Sequence, residues 1–227
     1  MTGPPVLLVH GFASSFERNW RDPGWVDLLA DAGREVIPVD LLGHGTAARP
    51  HDPGAYAALE DGVVSALPGA GDVDAVGFSL GARLVLGVAS KHPDRFQRIV
   101  VGGVGENLFR RADPEPVARA LEGAVDDTNA IARLFVQFAA GSGNDSKALA
   151  ACLRRPEQPL TGGQLATVTC PVLVVLGDED FAGPADPLVQ ALPDARLVTL
   201  RGVDHFATPR HFGFIDAALE FLGAAPT

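Results

Sequence analysis

The pentad Gly77-Phe78-Ser79-Leu80-Gly81 separates two apolar stretches of different character. Residues 73–76 (VDAV) are typical of a strand, whereas residues 82–89 (ARLVLGVA) are typical of a helix. A sharp strand-to-helix turn would lift the central serine above a sheet, and a side chain at either flank would crowd that turn. The helix N-terminus would add free N–H groups and partial positive charge beside the serine. The pentad therefore predicts a nucleophilic Ser79, and a glycine-rich loop before an ordinary helix is the alternative.

Length and composition limit the classes of protein to consider. The chain has 227 residues, of which 47% are hydrophobic and 20% charged, so we expect one globular domain with room for a small insertion. Its net charge of −10, without a run of lysine or arginine, argues against nucleic acid and anionic membrane surfaces as partners.

The chain is predicted to be cytoplasmic. No apolar run approaches the length of a membrane span, and the first residues show no basic segment of the kind that begins a signal peptide. The two cysteines, Cys152 and Cys170, suit structural thiols in a reducing compartment, and a disulfide between them is left open. Neither cysteine has the spacing of a metal ligand.

Short apolar runs alternate with helical patterns along the chain. The predicted strands are residues 5–9, 35–39, 73–77, 97–102, 171–177 and 195–200. Helices are predicted at residues 20–32, at 56–67, after the pentad as far as Lys91, and at 209–222, with Phe212, Ile215 and Leu219 facing the sheet. This alternation predicts a mainly parallel sheet covered on both faces, in which the second strand is also buried.

One long segment interrupts the alternation. Residues 105–168 are too many for one crossover helix, and they contain helical signals at 116–121, 129–140 and 146–153. We predict a core domain of residues 1–104 and 169–227, with 105–168 inserted as a helical cap. Phe135 and Phe138 recur at helical spacing, which suits packing between cap helices and also suits the wall of a pocket.

With these motifs in order, the chain resembles the α/β-hydrolase superfamily over essentially its whole length. The resemblance rests on the pentad and on residues 10–12 (HGF), 40–45 (DLLGHG), 177–180 (GDED) and 204–206 (DHF). It implies an α/β fold with a mostly parallel sheet of about six strands, helices on both faces and a small helical cap. Family members commonly begin with an antiparallel strand pair, for which this chain has no room before its first strand.

The resemblance also implies a catalytic triad in the order Ser79, Asp180, His205. A serine hydroxyl needs a base to take its proton, and an acid must hold that imidazole in one tautomer. Asp180 stands three residues after Gly177, where the family has its acid. Two alternatives stay open: Glu106 as the acid and His211 as the base.

The same resemblance assigns the oxyanion hole to the backbone N–H groups of Phe12 and Leu80. Candidate residues of the substrate pocket are Phe12, Phe135, Phe138 and Phe206. Arg83, Arg110 and Arg111 are candidates for contact with an anionic substrate, although a solvated position is favoured for them.

The predicted activity is hydrolysis of a small or medium uncharged carboxylic ester through an acyl-enzyme, without a metal or organic cofactor. Hydrolysis of a thioester, a lactone or a C–C bond of a diketone would use the same triad, since fold does not select the substrate. A protein that binds a small ligand without turnover is the alternative outside the enzymes. The expected partner is a small-molecule ester, and the expected state is a monomer or a homodimer.

Overall fold

A single sheet forms the centre of the computed structural model, which describes residues 3–124 and 128–225. Its strands are β1 (Val6–Val9), β2 (Val36–Val39), β3 (Val73–Phe78), β4 (Phe96–Gly102), β5 (Val172–Gly177) and β6 (Ala195–Leu200). They lie in the order β2-β1-β3-β4-β5-β6, and every neighbouring pair is parallel. Each strand begins and ends within one residue of its predicted stretch. The predicted sheet of about six strands is therefore confirmed.

The inner strands are buried on both faces, but β2 is not. Every residue of β3 and β5 is buried, as their continuous apolar runs predict. In contrast, only Val39 of β2 is buried, and Pro38 is exposed. The prediction of a second buried strand was wrong because β2 is an edge of the sheet and has a neighbour on one side only.

The backbone nitrogen and carbonyl oxygen of Pro38 face the side of β2 that has no neighbouring strand. The Val6 N–H group donates to Glu35 O across 2.7 Å, and Val6 pairs with Val36 in the parallel register. Successive residues of a strand direct their backbone polar groups to opposite sides. Ile37 and Val39 therefore bond to β1, whereas Pro38 points away from it and contributes no N–H group to the open edge.

Helices cover both faces of the sheet. They are α1 (Trp25–Asp31), α2 (Glu60–Ala66), α3 (Leu80–Lys91), α4 (Glu115–Leu121), α5 (Ala130–Ala140), α6 (Ser146–Leu153), α7 (Gly162–Leu165), α8 (Asp186–Ala191) and α9 (Phe212–Phe221). The side chains of α1 and α9 form one core with alternate residues of the strands, and those of α2 and α3 form the other. Within the described ranges, no helix is both long enough and apolar enough to cross a bilayer.

The first predicted helix is divided in two. Residues 20–32 were expected to be continuous, yet Gly24 has φ +91° and α1 starts only at Trp25. The preceding residues, Glu17–Arg21, form one wide helical turn that the Asp22 N–H group closes on Glu17 O across 2.8 Å. The second predicted helix likewise starts late, because a separate short turn occupies Pro53–Tyr56 and α2 begins at Glu60.

The last helix presents a different face from the predicted one. Phe212 was expected to face the sheet, but it is the first residue of α9 and its side chain is 80% exposed. Phe214, two residues later, is fully buried and stacks edge-on against Trp25 with ring centroids 5.0 Å apart. Ile215 and Leu219 are buried as predicted.

Among the described residues, four α-helices, α4 to α7, lie between β4 and β5. The first three match the predicted helical signals, and α5 and α6 begin after Asn129 and Asp145, whose side chains accept hydrogen bonds from the first turn. Helix α7 was not predicted, although Thr161 and Gln164 form a reciprocal capping box that could have revealed it. The boundaries of a separate cap at 105–168 stay a prediction, and residues 125–127 of it lie outside the described residues.

Candidate active site

Ser79 lies between β3 and α3 in a strained backbone conformation. Its φ of 51° and ψ of −111° are rare for a residue with a side chain, and its N–H group donates to Gly102 O across 2.8 Å. The two glycines of the pentad are required by close contacts. A Cβ atom at Gly77 would lie 2.6 Å from the Ala82 Cα atom, and one at Gly81 would lie 2.2 Å from the Val9 carbonyl oxygen. The turn therefore forms because glycine stands at both positions.

A chain of hydrogen bonds joins Ser79, His205 and Asp180. The Ser79 Oγ atom lies 2.9 Å from His205 Nε2, and His205 Nδ1 lies 2.9 Å from each carboxylate oxygen of Asp180. Because Nδ1 faces a carboxylate, it carries the hydrogen, and Nε2 is left to accept the serine proton. Asp180 and His205 are buried, which holds both side chains in place. The structure thus brings together the three residues of the predicted triad.

The alternative acid and base are placed elsewhere. Glu106 forms an ion pair with Arg110 at 3.0 Å, and His211 caps α9 by accepting from the Gly213 N–H group. Asp178, next to the predicted acid, accepts from the Gly202 N–H group and orders the turn after β5.

The predicted oxyanion hole consists of two N–H groups on neighbouring loops. Among the described residues, neither the Phe12 nor the Leu80 N–H group has a hydrogen-bond partner. The loop with Phe12 is fixed by Asn19, whose Oδ1 atom accepts from the Gly11 N–H group across 3.1 Å, and by Asn144, whose amide donates to Ser14 O. Sequence reasoning missed both asparagines, since nothing in their local pattern distinguishes them from surface residues.

Five phenylalanine rings form a connected group beside the candidate catalytic histidine, and we call them the aromatic cluster. Its members are Phe12, Phe135, Phe138, Phe181 and Phe206. The Phe135 ring centroid lies 5.8 Å from that of Phe12 and 5.3 Å from that of Phe206. Phe138 lies 5.2 Å from Phe206, and Phe181 lies 4.3 Å from the His205 ring. The four predicted pocket residues thus form one connected group of rings, in which Phe206 contacts the His205 ring. Phe181 is an addition whose position next to Asp180 could have indicated it.

Two of the three arginines considered for an anionic substrate are engaged elsewhere, whereas Arg111 is exposed, as favoured from the sequence. Arg83 is paired with Glu157 and donates to the carbonyl oxygens of Leu108 and Gln158, so the solvated position favoured from sequence was wrong for it. These bonds attach the segment after α6 to α3. Arg110 is paired with Glu106.

Two fully buried histidines lie behind the Phe12 loop. His10 Nε2 accepts from the Leu41 N–H group across 3.1 Å, while its Nδ1 donates to Gly11 O. His44 Nδ1 donates to Leu42 O, and its ring lies 5.6 Å from that of Phe12. Burial lowers the pKa of His10, and burial together with the neighbouring His10 lowers the pKa of His44 to about 3. Both rings are therefore neutral and serve as supports for the loop.

We expect the neutral state of His44 to make folding sensitive to acid. An unfolded histidine titrates near 6.5, so below that pH the unfolded chain binds one proton that native His44 does not. His44 alone should then lower the free energy of unfolding by about 2 kcal/mol between pH 7 and pH 5. The measurement is the free energy of unfolding in urea, at pH 7 and at pH 5, for the native protein and for His44→Asn. The difference between the two pH values should be smaller in the variant. An unchanged difference would contradict the argument, and His92→Asn, at an exposed position, is the control.

Taken together, the fold and the site define a hydrolase in which a parallel sheet presents a serine at a strand-to-helix turn. The chain belongs to the alpha/beta hydrolase family, whose family model matches residues 6–218. This match confirms the superfamily and the hydrolase class predicted from the sequence.

Relatives of known activity are similar to the chain at moderate identity. The pimeloyl-[acyl-carrier protein] methyl ester esterase of Nitrosomonas europaea is 28% identical over an alignment that covers 89% of each chain. The 2-hydroxymuconate semialdehyde hydrolase of Pseudomonas putida is 33% identical over 58% of this chain and 45% of its own length. Among solved structures, the enol-lactonase of Burkholderia xenovorans has a TM-score of 0.74 at 20% identity, covering 97% of this chain and 92% of its own. That structure shows the shared fold alone.

Proposed function

We propose that this protein is a serine hydrolase that cleaves a carboxylic ester through an acyl-enzyme. The observation that carries the proposal is the hydrogen-bond chain from Ser79 Oγ through His205 to Asp180. Such a chain makes the serine nucleophilic, because the imidazole accepts its proton while the carboxylate stabilises the resulting cation.

The reaction follows from this geometry in two halves. Ser79 Oγ attacks the ester carbonyl carbon as His205 Nε2 takes the serine proton, and the Phe12 and Leu80 N–H groups bind the oxyanion. His205 then gives the proton to the leaving alcohol, and the acyl group stays on Ser79. In the second half, His205 Nε2 takes a proton from water as its oxygen attacks the acyl carbon. The bond between the acyl carbon and Ser79 Oγ then breaks, His205 returns the proton to Oγ, and the carboxylic acid leaves.

The surroundings of the triad support an apolar acyl or alcohol group. The aromatic cluster extends from His205 through Phe206, and α5 supplies two of its rings, Phe135 and Phe138. Apolar walls with few polar groups suit an organic ester. The Nitrosomonas relative is itself named as a methyl ester esterase, which also favours ester hydrolysis.

A second candidate function is hydrolysis of a C–C bond in a diketone. The observation that favours it is the similarity to 2-hydroxymuconate semialdehyde hydrolase, which is 33% identical over part of the chain and is named for a substrate with a hydroxyl and an aldehyde group rather than an ester. Thioester and lactone hydrolysis also fit the same three residues, since all begin with attack on a carbonyl carbon.

The test is hydrolysis of p-nitrophenyl esters from acetate to palmitate, together with a fluorophosphonate probe that reacts with activated serines. If the protein is an esterase, we expect turnover of these esters with a maximum of kcat/KM at one chain length. We also expect mass spectrometry to locate the probe adduct on Ser79. A labelled Ser79 without ester turnover would reject this substrate class and move the search to diketones and thioesters. No adduct and no turnover would favour a protein that binds a ligand without hydrolysing it.

A further inference from the structure

The aromatic cluster has one end near Ser79, and Arg18 lies at its other end. It belongs to the helical turn Glu17–Arg21, directly after the loop that carries Phe12. Its Cζ atom lies 5.2 Å from the centroid of the Phe138 ring. That ring lies 5.2 Å from Phe206, which in turn lies 5.6 Å from His205. A row of two aromatic rings therefore connects the Arg18 guanidinium to the candidate base.

One nitrogen of the Arg18 guanidinium lacks an acceptor in the part of the chain that the structure describes. Its Nη1 atom is buried and has no hydrogen-bond partner within residues 3–124 and 128–225, and no carboxylate of those residues forms an ion pair with it. Its neighbour Arg21 is paired with Glu17 at 3.0 Å. Among the described residues, Arg18 is distinguished from other unpaired arginines because its free donor is buried. A buried donor without an acceptor costs free energy, so a bound anion would be stabilised there.

Local packing explains where Arg18 lies but not its free donor. The guanidinium covers the face of Phe138, a favourable cation–π contact. It also lies near Gly141 at the C-terminal end of α5, where a positive charge suits the helix dipole. Neither contact supplies an acceptor for Nη1.

Resting on the function proposed above, we propose that the substrate is an ester with a carboxylate group at its far end, and that Arg18 binds this carboxylate. The planar guanidinium fork matches the two oxygens of a carboxylate. With the scissile carbonyl at Ser79, the intervening chain lies along the rings of Phe206 and Phe138. The proposal replaces the uncharged ester expected from sequence, which did not consider Arg18.

The experiment compares charged and neutral esters of equal length. Monomethyl esters of dicarboxylic acids from succinic to suberic are assayed beside methyl esters of the matching monocarboxylic acids, with native protein and Arg18→Met. The native protein should favour the charged ester by about 10- to 100-fold in kcat/KM at one chain length, as expected for a hydrogen-bonded charge. Arg18→Met should remove this preference, chiefly through KM, and leave the neutral ester almost unchanged. Arg21→Met, in the same turn, should keep the preference.

Several outcomes separate this proposal from the proposed function. Turnover of neutral esters that needs Ser79, without any preference for the charged series, would reject the role of Arg18 alone. Equal loss on both series in Arg18→Met would show that the residue only supports the fold. Acetate esters of hydroxy acids place the carboxylate on the alcohol side, and an Arg18-dependent preference there would support the proposal for that half of the ester. Absence of all ester turnover would reject both proposals.

Discussion

Replacement of Ser79 by alanine is expected to lower kcat for ester hydrolysis by about 10⁵- to 10⁶-fold. The reason is the hydrogen bond of 2.9 Å between Ser79 Oγ and His205 Nε2, which identifies the atom that would attack the carbonyl carbon. Alanine at this position leaves the oxyanion N–H groups of Phe12 and Leu80 in place, so a small residual rate over the uncatalysed reaction is expected. The measurement is kcat on the best p-nitrophenyl ester, with active-site titration of the native protein for comparison.

Helix α3, which begins directly after Ser79, contains a second serine that serves as a control. Ser90 lies near the end of α3, and its hydroxyl donates to Gly87 O, away from the triad. Ser90→Ala should retain native kcat. If Ser79→Ala instead kept more than about one hundredth of the native rate, the nucleophile would be another group and the acyl-enzyme mechanism would be wrong.

Replacement of Asp180 by asparagine is expected to lower kcat by about 10⁴-fold with little change in the fold. Both Asp180 oxygens lie 2.9 Å from His205 Nδ1, so the carboxylate fixes the tautomer in which Nε2 is free to accept the serine proton. An asparagine amide can present N–H groups to Nδ1, which reverses the tautomer and removes the charge that stabilises the imidazolium. Steady-state kinetics with circular dichroism of the variant would separate this effect from unfolding.

Two neighbouring carboxylates serve as controls for the acid. Asp178→Asn removes a carboxylate that accepts from the Gly202 N–H group, and Glu106→Gln removes the alternative acid, which is paired with Arg110. Both variants should keep kcat within a few-fold of native. A collapse of activity in Glu106→Gln, with Asp180→Asn still active, would transfer the role of the acid to Glu106.

The sheet and the order of the site motifs were predictable because each depends on a local signal. A strand buried on both faces must be continuously apolar, and β3 and β5 are. The pentad around Ser79 was informative because a side chain at Gly77 or Gly81 would overlap the backbone. Since parallel strands end at the same edge, residues after β3, β5 and β6 could be expected to meet.

Features that depend on three-dimensional neighbours were not predictable. The division of the first helix is a different case, because the Pro23-Gly24 pair is a local turn signal that the prediction of one continuous helix did not use. Nothing local, however, shows that Phe214 rather than Phe212 is the buried residue. Asn19 supports the Phe12 loop through a hydrogen bond that only the folded chain creates. Arg18 resembles any surface arginine until its neighbours are known, because the absence of an acceptor is a property of its surroundings.

Pro38 on the outer edge of β2 has a consequence for quaternary structure. An exposed edge strand can add a strand from another molecule through its free N–H and C=O groups. Here the ladder would be interrupted at Pro38, which has no N–H group to donate. Continuous sheet extension through β2 is therefore disfavoured. If two copies of this chain associate, the helical faces or the opposite edge at β6, where Leu197 is 40% exposed, are the surfaces left for it.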